Sequence, residues 1–146
     1  MIQVKVRKLR ETARMPERGS AAAAGFDLRA CLEEDIVIAP GETVMVGTGL
    51  ACEIPEGYFG AVFARSGLAA REGLRPANCV GVCDSDYRGE YTVALHNDSR
   101  EPRNVQDGER IAQLVVLPCP AVEFTEADTL EETVRGAGGF GSTGKT

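Results

Sequence analysis

An aspartate followed three residues later by a tyrosine carries the most specific chemistry in this sequence. Asp84 and Tyr87 lie in residues 81–89, GVCDSDYRG, where an apolar stretch gives way to a polar turn. Two interpretations fit this pattern. Asp84 is either a turn former at the tip of a β-hairpin, or a general base at the end of a strand beside an apolar wall. Taken alone, the segment favours the turn.

A second segment has the composition of an anion site. Arg65, Ser66 and Gly67 follow a predicted strand and open the one predicted helical stretch, residues 67–72. Backbone amides and a hydroxyl at a helix N-terminus bind anions, and Arg65 would add a fixed charge. A helix-capping role for Ser66 explains the same residues equally well.

Two polar residues interrupt apolar segments. Asp27 stands between Phe26 and Leu28, where a structural or capping role is the simpler interpretation. Gln113 lies inside the apolar run 111–117. A buried glutamine needs hydrogen-bond partners, so Gln113 is either satisfied within the core or faces a ligand.

The C-terminal residues 135–146, RGAGGFGSTGKT, contain a literal Walker A match from Gly139 to Thr146. A P-loop needs a strand before it and a helix after it, and no residues follow Thr146 to form that helix. We therefore expect the match to be accidental. The glycines still allow backbone amides to approach a phosphate. A disordered tail is the alternative, although Arg135 and Phe140 have little use in a solvated tail.

Composition limits the function classes. The chain has 22 acidic and 16 basic residues, a net charge of −6 and no basic stripe, which argues against binding of long nucleic acid. A small polyanion remains possible if arginines or a metal converge locally. With five cysteines and a single histidine, a zinc site is not expected. The cysteines are interpreted as free, buried thiols that act as small apolar residues.

The positioning elements are predicted to be strands at residues 3–6, 35–38, 43–46, 51–54, 58–65, 91–96, 111–117 and 122–125. Many short strands separated by turn signals predict an all-β sandwich, barrel or jelly roll. A core domain over residues 1–129 is expected, followed by a flexible glycine-rich arm over residues 130–146. The sequence shows neither a signal peptide nor an apolar run of the roughly 20 residues that a membrane helix needs. A cytoplasmic protein without membrane contact is expected.

Five ordered segments, AGFDLRA, ARSGLAAR, NCVGVCDSDYRGE, ERIAQLVV and RGAGGFGSTG, resemble the five motifs of the trimeric deoxyuridine triphosphate nucleotidohydrolases (dUTPases) and span residues 24–144. The resemblance implies a jelly-roll (β-clip) subunit, a homotrimer, and active sites that draw motifs from more than one subunit. It also implies a C-terminal arm exchanged between subunits. The implied reaction converts dUTP and water to dUMP and pyrophosphate with Mg²⁺, limiting uracil incorporation into DNA and supplying dUMP for thymidylate synthesis.

The resemblance also implies roles for the residues around the nucleoside. Asp84 matches the aspartate that activates water for attack on the α-phosphorus. Tyr87 matches the tyrosine that packs under the deoxyribose and leaves no room for a 2′-hydroxyl. Asn78 matches the asparagine that reads the uracil edge, helped by backbone groups of the same hairpin, including Gly81. Cys83 departs from the family pattern, which has a branched aliphatic residue there.

Other implied roles concern the phosphates and the metal. Arg65, Ser66 and Gly67 match the phosphate-binding loop, and Gln113 matches a glutamine near the α-phosphate and the catalytic water. Asp27 matches an acid near the water shell of Mg²⁺, which the substrate phosphates would mainly hold. In the arm, the implied contacts are an arginine finger, an aromatic that stacks on uracil and further phosphate ligands: Arg135, Phe140, Gly141, Ser142 and Thr143.

Two alternatives remain. A dCTP deaminase of the same fold would use a glutamate to activate water at the pyrimidine ring, and no matching motif is found in the sequence. A non-catalytic dUTP-binding or regulatory protein would not need Asp84, Tyr87 and an intact arm together.

Overall fold

The computed structural model describes residues 1–139, which form twelve short strands and one helical turn. The strands are β1 (Lys5–Lys8), β2 (Glu17–Arg18), β3 (Phe26–Arg29), β4 (Ile36–Ile38), β5 (Thr43–Gly47), β6 (Leu50–Glu53), β7 (Tyr58–Phe63), β8 (Leu74–Pro76), β9 (Val80–Cys83), β10 (Thr92–Asn97), β11 (Arg103–Val105) and β12 (Arg110–Pro118). The helical turn spans Leu68–Glu72 and has π-type hydrogen bonding. The all-β prediction is confirmed.

The strands pair into four antiparallel sheets. The largest has the order β2-β3-β12-β7-β9, and a second has the order β5-β10-β8. Two strand pairs, β1-β6 and β11-β4, complete the set. These sheets are open within residues 1–139, so the barrel alternative is wrong for the described chain.

The core is almost entirely aliphatic, as the low aromatic content indicates. Leu28, Val46, Leu50, Leu95 and Ile111 are completely buried between the sheets. The predicted apolar run 111–117 is confirmed as the long central strand β12. Because it pairs on both sides, β12 fixes the positions of β3 and β7.

One row of paired residues crosses the large sheet and organises the site. Asp27 pairs with Gln113, Gln113 with Phe63, and Phe63 with Val80. The polar residues Asp27 and Gln113 therefore lie side by side at one end of the sheet. Arg65 follows β7 at this same end, whereas Asp84 follows β9 at the opposite end.

Glycines with left-handed backbone close the turns that the sequence predicts. Gly41, after Pro40, has φ 75° between β4 and β5, and Gly57 has φ 80° between β6 and β7. Gly73, with φ 72°, ends the helical turn, where its N–H donates to the carbonyls of Leu68 and Ala69. Glycine tolerates these angles because it has no Cβ.

Two differences from the predicted elements stand out. Residues 122–125 are not a strand, and Val122 and Phe124 are 73% and 96% exposed. An extended segment needs a partner strand, and the described chain pairs none with residues 119–139. The short strands β2, β3, β8 and β11 were not predicted because two to four residues show no clear alternation.

Among residues 1–139, every helical segment is too short and too polar to span a membrane.

Candidate active site

A pocket of about 330 Å³ opens at the end of β3, β7 and β12. Asp27 lies at its centre, between two arginines. Arg65 Nε donates to Asp27 Oδ1 at 2.9 Å, and Arg110 Nη1 donates to Asp27 Oδ2 at 3.2 Å. Arg65 Nη1 also donates to the carbonyl of Arg110 at 3.3 Å. The carboxylate thus fixes the directions of both guanidinium groups.

This pocket is locally cationic in a chain of net charge −6. Arg65 and Arg110 carry two positive charges and Asp27 one negative charge, which leaves a surplus of one positive charge. The side chain of Asp27 is 15% exposed and that of Arg65 is 26% exposed. Partial burial lowers the effective dielectric, so the surplus attracts an anion more strongly than free surface arginines would.

Ser66 and Gly67 line the same pocket. Gly67 is the N-cap of the helical turn, and no side chain in the described chain makes a capping hydrogen bond there. The Ser66 side chain is exposed. The capping interpretation of Ser66 is therefore wrong, because the N-cap is Gly67 and no capping hydrogen bond from a side chain is found in the described chain.

Gln113 both satisfies a backbone group and lines the pocket. Its Nε2 donates to the carbonyl of Ala64 at 2.8 Å, just before Arg65. Its Oε1 lies close to Gly25, where an added Cβ would approach it to 2.4 Å. Because Gly25 has no Cβ, the Gln113 side chain can occupy this space. Gln113 in turn fixes the backbone of Ala64, the residue before Arg65.

A second cleft, of about 420 Å³, lies at β9 and β10. It is lined by Asn78, Gly81, Asp84 and Tyr87 together with apolar side chains such as Met45. Its walls are largely hydrophobic with a few polar groups, as is typical of small-molecule sites. The carboxylate of Asp84 is exposed at this cleft.

The turn after Asp84 positions Tyr87. The N–H of Tyr87 donates to the carbonyl of Asp84 at 3.2 Å, and Tyr87 Oη donates to the carbonyl of Glu90 at 3.0 Å. The ring of Tyr87 lies 6.0 Å from that of Tyr91. At Gly89, an added Cβ would approach Tyr87 Oη to 2.3 Å. The tyrosine ring is thus held by the hairpin itself.

The base of the cleft is small and apolar. At Gly81, an added Cβ would meet Val62 Cβ at 3.2 Å and Asn78 Nδ2 at 3.5 Å. The Asn78 amide therefore lies over Gly81.

Burial raises the pKa of the Cys83 thiol, and it raises the pKa of the Cys52 thiol to about 11. These thiols stay protonated at neutral pH and act as small apolar residues.

A dUTPase family model matches residues 11–144. The chain belongs to the dUTPase family. The deoxyuridine 5′-triphosphate nucleotidohydrolase of Desulfitobacterium hafniense is 53% identical over 146 residues, covering 98% of this chain and 97% of the relative. The enzyme of the same name from Nautilia profundicola is 47% identical, covering 99% and 100% of the two chains.

Solved dUTPase structures share the fold. A mutant dUTPase of Staphylococcus bacteriophage 80alpha with dUpNHpp superposes with a TM-score of 0.84 at 30% identity, covering 97% of this chain and 98% of that one. A mutant dUTPase from phage phi11 of S. aureus, described as revealing the coordination of a structural Mg(II) ion, has a TM-score of 0.80 at 27% identity. It covers 89% of this chain and 99% of the phage chain.

The dUTPase motif residues fall into two groups in this structure. The first pocket brings together Asp27, Arg65, Ser66, Gly67 and Gln113, and the second brings together Asn78, Gly81, Asp84 and Tyr87. Among the described residues, none lines both pockets.

The arm residues stand apart from both pockets. Arg135 lines neither pocket, and its Nε donates to the carbonyl of Gly138 at 2.9 Å. Phe140, Gly141, Ser142 and Thr143 lie outside the described residues. Their roles stay predictions.

A protein-built metal centre is not found among residues 1–139, where no three His, Cys, Asp or Glu side chains converge. Asp27 is the one carboxylate among the described residues that line the pocket around Arg65, and both its oxygens accept from arginines. Each oxygen keeps a further lone pair for a water molecule. This donor set fits a cation held through water and by a substrate's own phosphates rather than by a cage of side chains.

Sequence reasoning missed Arg110, Gly25 and Gly89 as site residues of this dUTPase. Arg110 stands three residues before Gln113 in the quoted motif, and a cation at the start of a buried strand was a usable signal. The two glycines gave no signal, because their importance depends on side chains that approach them in space.

Proposed function

We propose that this chain hydrolyses dUTP to dUMP and pyrophosphate, as a dUTP diphosphatase. The observation that carries the proposal is that Asp84, Tyr87 and Asn78 line one cleft. They provide a carboxylate, an aromatic ring on which a sugar can pack and an amide that can bind the edge of a pyrimidine. The cationic pocket around Arg65 supplies the complementary site for a triphosphate. The relatives named for this activity support the same conclusion.

The cleft is suited to a pyrimidine base. Asn78 offers an amide that can accept from a ring N–H and donate to a ring carbonyl. Cytosine exchanges the donor and the acceptor on this edge of the ring, so an Asn78 amide held in one orientation, together with backbone groups of the hairpin, would be mismatched. Discrimination of about 10⁴-fold is attainable in a site of this kind. The close approach of Gly81 to Val62 leaves little space at the base for the extra methyl group of thymine.

The deoxyribose would pack on the ring of Tyr87. The hydrogen bond from Tyr87 Oη to Glu90 and the contact with Gly89 hold this ring in place. A ribose 2′-hydroxyl would then be pressed against an aromatic face that cannot accept its hydrogen bonds. Such burial of an unpaired hydroxyl disfavours UTP.

Asp84 would act as the general base. Its exposed carboxylate accepts a proton from a water molecule, which attacks the α-phosphorus, and pyrophosphate leaves. Gln113 would orient the α-phosphate and the attacking water, and Arg65, Ser66 and Gly67 would bind phosphate oxygens. Mg²⁺, held mainly by the phosphates and through water by Asp27, would neutralise charge on the triphosphate.

The two pockets support active sites shared between subunits. Asp84 lies four residues along β9 from Val80, which belongs to the row containing Asp27 and Gln113. At roughly 3.3 Å per residue, this separates Asp84 from that row by about 13 Å. Within one chain, this distance is too long for the α-phosphate of one bound nucleotide to contact both Asp84 and Gln113. A homotrimer of jelly-roll subunits would bring pockets of different chains together.

Exposed apolar side chains support the same assembly. Met45 and Val82 are 64% and 65% exposed in the cleft that contains Asp84 and Tyr87. In the arm, Leu130 and Val134 are 88% and 111% exposed. An arm that begins near residue 130 and crosses to another subunit would bury these side chains. It would place Arg135, Phe140, Gly141, Ser142 and Thr143 over the nucleotide as a lid.

In the cell, this reaction would act in the cytoplasm on the nucleotide pool. It would limit uracil incorporation into DNA and supply dUMP for thymidylate synthesis. Neither role needs contact with long nucleic acid or membrane.

Pyrophosphate release from dUTP, dTTP, dCTP and UTP, measured side by side with Mg²⁺ and in ¹⁸O-labelled water, tests the proposal. We expect rapid release from dUTP only, with the label in dUMP, since water attacks the α-phosphorus. Label in the pyrophosphate, or equal rates with all four nucleotides, would contradict it. Deaminated product from dCTP would favour the deaminase alternative.

A further inference from the structure

The turn that presents Asn78 has an unusual backbone. It joins β8 to β9 across residues 77–79, and Cys79 is the only non-glycine residue among residues 1–139 with a left-handed φ, 62°. Residues with a Cβ adopt this conformation rarely. Such a turn persists when surrounding contacts over-determine it.

The backbone supplies one such contact, since the N–H of Ala77 donates to the carbonyl of Ala94 at 2.7 Å, and Arg75 supplies the side-chain contacts. Its Nη1 donates to the carbonyl of Pro76 at 3.2 Å and lies 3.9 Å from Cys79 Sγ. The same Pro76 carbonyl accepts from the N–H of Cys79 at 3.1 Å. The guanidinium therefore contacts both ends of the turn on which Asn78 stands.

Asp98 orients Arg75 through both carboxylate oxygens. Oδ1 accepts from Arg75 Nη2 at 3.3 Å, and Oδ2 accepts from Arg75 Nε. Asp98 is itself anchored, because its N–H donates to the carbonyl of Gly73 at 2.8 Å and its carboxylate lies 3.2 Å from His96 Nε2. A two-point arginine–carboxylate contact fixes the plane of the guanidinium as well as its position.

We propose that Arg75 is a positioning residue for base recognition, which holds the 77–79 turn so that Asn78 meets the uracil edge. This inference rests on the proposed dUTP hydrolysis and deepens it. Arg75 and Asp98 are 35% and 45% exposed, and exposed ion pairs add little to global stability. The pair therefore acts on the geometry of the turn.

Arg75→Gln tests the proposal, with Arg14→Gln as the matched control. Arg14 forms a similar exposed pair with Asp107 at 3.0 Å, away from both pockets. We expect Arg75→Gln to raise KM for dUTP by about tenfold and to lower the kcat/KM preference for dUTP over dCTP by about tenfold, with kcat within about twofold of the parent. Arg14→Gln should change none of these.

Arg75→Lys provides a graded comparison. Lysine keeps a charge beside Asp98 but cannot present a planar fork to Asp98 and Pro76 together. Its KM and base preference should lie between those of the parent and Arg75→Gln. If Arg75→Gln does not fold, Asp98→Asn is measured in the same way, since it releases the guanidinium while preserving side-chain shape.

Three results separate the possible failures. A KM and base preference in Arg75→Gln equal to those of Arg14→Gln would overturn the positioning role. A parallel loss of kcat and melting temperature, with base preference retained, would also overturn it, because that result describes a structural role only. Absence of dUTP hydrolysis by the parent enzyme would instead overturn the proposed function.

Discussion

Asp27 and Arg65 are joined by a hydrogen bond of 2.9 Å between Oδ1 and Nε, across 38 residues of sequence. This contact ties the centre of β3 to the loop after β7. Arg65 Nη1 donates in turn to the carbonyl of Arg110 at 3.3 Å. The carboxylate thus orients a cation that lines the same pocket.

Asp27→Asn should weaken binding of the triphosphate more than binding of the monophosphate. The amide cannot hold two guanidinium groups, and we expect KM for dUTP to rise by about tenfold, in line with the loss of one charged hydrogen bond. The measurements are steady-state kinetics with dUTP and calorimetric binding of dUMP. Asp107→Asn, which also pairs with an arginine, is the control. An equal loss for dUTP and dUMP would show that Arg65 does not serve the outer phosphates.

Gly25→Ala should displace Gln113. The new Cβ would lie 2.4 Å from Gln113 Oε1, so the side chain must move or rotate. We expect kcat/KM to fall by about 10- to 100-fold, the scale of a lost positioning contact. Gly19→Ala is a close control, because Gly19 lines the same pocket and its Cβ would meet nothing within 4 Å. Equal activity of the two variants would remove Gln113 from its role.

Gly89→Ala should relax the choice between dUTP and UTP. The added methyl group would push the ring of Tyr87 away from Gly89, opening space under the sugar. We expect the kcat/KM ratio of dUTP to UTP to fall by about tenfold or more. Tyr87→Phe keeps the ring and loses only the bond to Glu90, so its ratio should fall less. A larger loss in Tyr87→Phe would show that the hydroxyl, not the ring position, sets the choice.

Removal of residues 136–146 should leave a folded core with severely reduced turnover. Among the described residues, the strands end at Pro118 and the buried side chains precede residue 115. The melting temperature should therefore be unchanged in calorimetry, while kcat for dUTP falls. Deleting only Lys145 and Thr146 is the control and should preserve the rate. A truncated enzyme with full activity would contradict the lid.

The resemblance to a known family supplied the candidate site residues, whereas local sequence predicted only some of the elements that carry them. Asp84 and Tyr87 were singled out only because their segment is one of five ordered motifs, and the structure places both at one cleft. Their roles stay predictions. The strand β3, by contrast, has four residues and depends on pairing with β12, which local sequence does not encode. Residues 122–125 have strand propensity but no partner strand among residues 1–139, so propensity alone gave a wrong strand. The roles of Gly25, Gly89 and Arg75 depend on contacts that only the fold creates.

The central claim is that Asp84 activates the water that attacks dUTP, and a single paired measurement tests it most directly. Asp84→Asn and Asp86→Asn alter two exposed aspartates of one turn. We expect Asp84→Asn to bind dUTP with unchanged affinity in calorimetry and to lose about 10²- to 10⁴-fold in kcat for pyrophosphate release, as for a general base. Asp86→Asn should retain parental kinetics. Full activity in Asp84→Asn, or an equal loss in both variants, would contradict the account.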